Sequence, residues 1–141
     1  MPSVSKSIKL ERPPAEAFDL ATDPARFGEW LTLHADWPDG VPGSVEQGDT
    51  FKQKLTIMGM PADVDWTVEE KSDSKVVMRG GGPMGAQLAT TITAVPDGEA
   101  TMVSYEAEFS GGGIQGPMGD MVTKKAGEEI AVSLEKLREL A

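Results

Sequence analysis

The closing stretch of this chain limits its fold more than any other feature. Over residues 117–140 the apolar side chains Met118, Met121, Val122, Ala126, Ile130, Leu134 and Leu137 recur every three or four positions, with Lys124, Lys125, Glu128, Glu135 and Arg138 between them. That spacing lays an apolar stripe along one side of a helix, so residues 117–140 are predicted to form one long amphipathic helix. Such a stripe has to be covered by another layer of structure.

The preceding sequence supplies the cover, because most of it alternates with the period of a strand. Val4, Ile8 and Leu10 alternate with Ser5, Ser7 and Lys9, with Lys6 the one exception on the inner face. Phe51, Gln53, Leu55 and Ile57 share one face of a later segment, against Lys52, Lys54 and Thr56 on the other. After a turn at Met58-Gly59-Met60-Pro61, Val64, Trp66 and Val68 alternate with Asp63, Asp65, Thr67 and Glu69. If these two segments pair, their outer faces bring lysines to acids, and each cross-strand pair contributes about 0.2–1 kcal/mol. Further strands are predicted over 75–80, 86–95 and 100–110, the last two joined by the turn residues Pro96-Asp97-Gly98.

Prolines mark what lies between the first strand and this meander. Pro13 and Pro14 open a short helix over 15–21, since a first-turn N–H has no intrahelical partner to lose. Asp23 followed by Pro24 repeats the device for a second short helix, to about residue 30 or 31. Pro38, Gly40, Pro42 and Gly43 make 34–48 a loop, with a short strand expected near Val45. The predicted class is therefore α+β: an antiparallel sheet of about six or seven strands, two short helices after the first strand, and a long C-terminal helix. At 141 residues a single domain spanning 1–141 is expected.

Composition removes several classes of function. There is no cysteine and only one histidine, His34, so a metal site would need carboxylates for nearly all its ligands; no metal and no cofactor are expected. Thirteen basic against 23 acidic residues give a net charge of −10. Lys6, Lys9, Lys52, Lys54, Lys71 and Lys75 are scattered among acids, a distribution that repels a phosphate backbone, so no nucleic-acid binding is expected. No apolar stretch reaches the roughly 20 residues of a membrane span, and no leader pattern opens the chain. A soluble, cytoplasmic protein without membrane insertion is expected.

Two stretches match the dinucleotide pattern G-x-G-x-x-G, at Gly80, Gly82, Gly85 and at Gly111, Gly113, Gly116. The mechanism behind that pattern requires strand, glycine turn, helix and a second parallel strand. A β-rich run follows the first match and the final helix follows the second, so both read as turns. Serines and acids abound, yet no G-x-S-x-G elbow is present to present a nucleophile. Eight methionines, Met58, Met60, Met78, Met84, Met102, Met118 and Met121 among them, suit irregular core gaps and adaptable pockets alike. Glu106 and Glu108 fall on alternate positions opposite Val103, Tyr105, Ala107 and Phe109, as on a solvated outer face.

Val4 to Leu10, then Pro13-Pro14-Ala15-Glu16-Ala17-Phe18, then Asp23-Pro24-Ala25-Arg26-Phe27-Gly28-Glu29-Trp30, resembles the opening of the START/Bet v 1-like (SRPBCC) superfamily, with its D-P-x-R-x-x-x-W helix. Within it, Trp30-Leu31-Thr32-Leu33-His34 with Trp37, Gly59-Met60-Pro61 and Asp65-Trp66-Thr67 is similar to actinobacterial polyketide cyclase/dehydrase-like proteins, some of them labelled toxins of toxin-antitoxin pairs. The resemblance implies a helix-grip fold, in which a curved sheet wraps the long helix and encloses a cavity for a small hydrophobic ligand: aromatic, polyketide-like or lipid. The lining it implies is Trp30, Leu33, His34, Trp37, Phe51, Leu55, Trp66, Met78, Leu88, Ile92, Tyr105, Phe109, Met118, Met121 and Val122. Where such a protein is a cyclase or dehydrase, His34, Tyr105 and Arg79 are the candidates for moving protons or polarising a carbonyl. The alternative it implies is a non-catalytic interaction or toxin-type module with an antitoxin-like protein partner.

Overall fold

A computed structural model describes residues 3–43, 45–57, 59–82, 85–111 and 116–141, without the side chains of Ile57 and Met118. Met58, Met84 and Gly113 lie outside the described residues. Strand β1 (Ser3–Leu10) leads into α1 (Pro14–Thr22), a 3-10 turn (Pro24–Arg26) and the single turn α2 (Phe27–Trp30). There follow β2 (His34–Asp36), β3 (Thr50–Ile57), β4 (Met60–Lys71), β5 (Lys75–Gly81), β6 (Gln87–Asp97), β7 (Ala100–Ser110) and α3 (Gly116–Leu140). The strands form one antiparallel sheet of seven, in the order β1-β7-β6-β5-β4-β3-β2.

Local chemistry accounts for the short elements. The Asp23 side chain accepts from the Ala25 amide at 3.0 Å, capping the 3-10 turn that Pro24 begins. Arg26, with φ −107° and ψ −1°, ends the 3-10 turn and precedes the α-helical turn, so the predicted second helix is divided into a 3-10 turn and one α-helical turn. Trp37 donates its indole N–H to the Pro24 carbonyl at 3.1 Å and ties the following loop to that turn.

The short strand expected near Val45 stands instead at His34–Asp36. His34 pairs with Leu55 and Asp36 with Lys54 across a bulge, and the proline and glycine run that prevents further pairing begins only after Trp37. Val45 is buried in the loop, its carbonyl accepting from the Lys71 ammonium at 2.9 Å.

The central hairpin has the register that charge alternation predicts, with Lys52 opposite Asp65 and Lys54 opposite Asp63. A bulge between Val68 and Glu70 interrupts the β4–β5 ladder, and bulges of this kind bend a strand and raise its twist. The inward residues Val64, Val68, Val76, Ile92, Ala94 and Val103 form a core with Ala126, Ile130, Leu134 and Leu137 of α3. Gly127 brings α3 close to β1, since a Cβ there would lie 3.1 Å from a Val4 methyl.

Candidate functional site

Trp66 has room on the inner face because β5 presents Gly80 opposite it: a Cβ at Gly80 would lie 2.8 Å from the indole and 2.6 Å from a Val64 methyl. Beside this indole is a cavity of about 20 Å3, room for roughly one water. Its sheet wall is Gln53 and Leu55 of β3, Trp66 of β4, Met78 of β5, Leu88, Thr90 and Ile92 of β6, and Tyr105, Ala107 and Phe109 of β7. The opposite wall is Phe27 of α2 with Leu31 and Leu33 of the α2–β2 linker.

Eight of the expected lining residues thus meet: Leu33, Leu55, Trp66, Met78, Leu88, Ile92, Tyr105 and Phe109. The helix contributes less than the sequence suggests. Val122 is buried but does not border the cavity, and Met121 is 55% exposed. Met121 stands nine residues from Ile130, about two and a half turns at 3.6 residues per turn, and so on the opposite side of the helix. The side chain of Met118 lies outside the described residues. Among the described residues the cavity is bordered by α2 and its linker and by no side chain of α3.

That linker is fastened to the helix by hydroxyl groups. The Thr32 amide donates to Ser133 Oγ at 2.8 Å, and Thr32 Oγ1 donates to Glu129 Oε2 at 2.6 Å. Ser133 is fully buried and donates in turn to the Glu129 carbonyl at 2.7 Å.

The other expected aromatic residues form a cluster beside the cavity. His34 packs at 4.8 Å against Trp37 with the rings tilted by 45°, and Trp37 meets Phe51 edge-on at 5.7 Å. Phe27 contacts the rings of Trp30, His34 and Trp37. Trp30 stands edge-on to Tyr105 at 6.5 Å, is 1% exposed, and its indole N–H has no hydrogen-bond partner among the described residues. A buried donor in that state costs about 1–3 kcal/mol.

Of the three candidate proton-moving groups, Tyr105 borders the cavity and His34 stands beside it, bonded to the lining residue Gln53. Burial pushes the Tyr105 phenol up to about 12, against a smaller opposing effect of its hydrogen bond with Thr90, so it stays protonated and can donate. Burial lowers the His34 pKa, with Asp36 opposing, so the imidazole is neutral at pH 7. Arg79 falls between the inward residues Met78 and Gly80 of β5 and so faces outward, where it donates to Glu69 at 2.7 Å. It does not reach the cavity.

Gln53, Thr90, Phe27, Leu31 and Ala107 are the lining residues that sequence reasoning missed. Gln53 left a visible signal, a polar residue on the apolar face of β3. It is 3% exposed and bonded at both ends: its Nε2 lies 2.9 Å from His34 Nδ1, and its Oε1 accepts from the Trp66 indole at 2.9 Å.

The His34 shift carries a pH dependence. Its pKa in the folded chain is below the ordinary value of 6.5, so in that window the unfolded chain binds more protons and stability falls as pH drops below about 6.5. Measured against His34→Gln, the melting temperature of the wild-type protein should decline from about pH 7 to pH 5. Parallel curves for the two proteins would refute the assignment.

The family profile described as "Polyketide cyclase / dehydrase and lipid transport" matches residues 1–141. The chain belongs to this family. A similar relative is Toxin Rv0910 of Mycobacterium tuberculosis (strain ATCC 25618 / H37Rv). It is 30% identical over 136 residues, covering 96% of this chain and 94% of the relative. Among solved structures, a START superfamily protein from Mycobacterium smegmatis has a TM-score of 0.73 at 17% identity, covering 99% of each chain. TTHA0849 from Thermus thermophilus has a TM-score of 0.78 at 18% identity, covering 98% of this chain and 95% of that one. The resemblance carried by the opening strand and the Asp23-to-Trp30 motif thus holds for family and fold. Among the described residues no helix is long and apolar enough to cross a membrane.

Proposed function

We propose that this chain binds a small, mainly apolar ligand, aromatic, polyketide-like or lipid, in the cavity between the sheet and the α2–β2 linker. The supporting observation is the lining: apolar side chains from five strands converge on one space with Gln53, Thr90 and Tyr105 as its polar groups. Small-molecule sites have this composition, with few polar groups that orient the ligand. The cavity of about 20 Å3 is too small for a ring, so the ligand enters by displacing side chains and the linker. Met78 is unbranched and adaptable, which makes that repacking inexpensive. In a cyclase or dehydrase role, the neutral His34 and the protonated Tyr105 are the groups available to move a proton or polarise a carbonyl.

A second reading is a toxin-type interaction module with a protein partner, favoured by the likeness to Toxin Rv0910. Titration with 2-acetylnaphthalene and with dodecanoic acid, followed by amide and aromatic NMR shifts, separates the two. Ligand binding predicts saturable shifts at Trp66, Tyr105 and Leu33 together. Shifts confined to surface loops for both compounds would overturn it in favour of the interaction module.

A further inference from the structure

The cavity's edge has a fixed hydrogen-bond polarity, and it can be read without seeing a single hydrogen. An indole N–H can only donate. The Gln53 atom facing Trp66 Nε1 at 2.9 Å is therefore its carbonyl oxygen. The amide's other end, its NH2, then faces His34 Nδ1 at 2.9 Å. A nitrogen that receives an N–H carries no proton of its own, so the proton of the neutral ring is on Nε2. Nε2 has no hydrogen-bond partner among the described residues. Phe27, which meets the imidazole ring edge-on at 6.2 Å, and Gln53 both line the cavity.

We propose that Gln53 is a positioning residue: pinned by the Trp66 indole, it holds His34, which stands beside the cavity, as the neutral Nε2–H tautomer, so that the ring offers a hydrogen-bond donor to a ligand whose acceptor oxygen reaches it. The specificity rests on the ligand-binding reading; the tautomer does not. Asp36 is the nearby carboxylate, and Lys54 lies opposite it in the β2–β3 pairing. Neither is hydrogen-bonded to the ring, so the relay from Trp66 through Gln53 decides which nitrogen is protonated.

His34 is the chain's one histidine, so long-range 1H–15N correlation of the imidazole reports its tautomer without assignment ambiguity. The wild-type protein at about pH 7.5 should show protonated Nε2 and bare Nδ1. Trp66→Phe keeps an aromatic ring but removes the donor, freeing the Gln53 amide to turn; a mixture of both tautomers should appear. Gln53→Glu supplies a carboxylate that only accepts, so His34 should carry its proton on Nδ1 and titrate at higher pH. A wild-type ring protonated on Nδ1, or a tautomer unchanged in Trp66→Phe, would overturn the relay. For the ligand arm, 2-acetylnaphthalene should bind about two- to ten-fold more tightly than its hydrocarbon isostere 2-isopropenylnaphthalene, the worth of one hydrogen bond. That preference should shrink in Trp66→Phe. Equal affinities would overturn the specificity alone, whereas no binding by either compound would defeat the cavity reading and leave the tautomer result standing.

Discussion

Trp66→Ala should lose about 3–5 kcal/mol of folding stability, the range for deleting a buried aromatic ring. Trp66 is 3% exposed, borders the cavity, and lies over Gly80 with no side chain beneath it to collapse into the space. The indole also holds Gln53 Oε1, and leaving that buried acceptor unpaired costs about 1–3 kcal/mol. Trp66→Phe should therefore fall between wild type and Trp66→Ala, because it retains most of the ring and loses only the donor. Urea unfolding of the three proteins measures this. A loss below about 1 kcal/mol for Trp66→Ala would mean that the ring is not an integral part of the inner wall.

The fold was readable in the sequence to the extent that period and charge fix it. Alternation placed β1 and the β3–β4 hairpin, and opposite charges on the outer faces gave a register with Lys52 facing Asp65 and Lys54 facing Asp63. Three features were not readable, each for a physical reason. His34–Asp36 pairs as a strand too short to show alternation. Met121 keeps a spacing of three from Met118 but is exposed, opposite the stripe that Ile130 and Leu134 continue, so local spacing alone misplaced it. The cavity's closing wall comes from Phe27, Leu31 and Leu33, and which helix covers a curved sheet at a given point depends on tertiary packing that no periodicity encodes.

Gln53 is a different case, because its position on an apolar face was evident and only its role was not. A buried amide between two apolar neighbours needs partners for both ends, and the partners come from β2 and β4, far apart along the chain. The same logic applies to Trp30, whose indole N–H has no partner among the described residues and is one more donor next to Tyr105. A ligand or water with an acceptor oxygen would relieve it, in keeping with the donor polarity inferred for His34.

Met78→Ala gives the most direct test of whether the inner space is built to be occupied. Met78 is 5% exposed, borders the cavity and sits between Val68 and Thr90 in the sheet, so its truncation removes volume without removing a hydrogen bond. The variant should lose about 2–5 kcal/mol, yet its larger cavity should take up a flat apolar compound more readily than the wild-type space of about 20 Å3. Binding to the folded state alone returns stability as RT ln(1 + [L]/Kd), about 2.7 kcal/mol at a ligand concentration of 100 Kd. Naphthalene should therefore raise the melting temperature of Met78→Ala by several degrees and that of the wild-type protein by less. The asymmetry is the informative quantity, because a compound acting at the surface would shift both proteins equally. Equal shifts, or none in the variant, would show that the room made by Met78 is not accessible to a ligand, and the case for a binding cavity would fall with it.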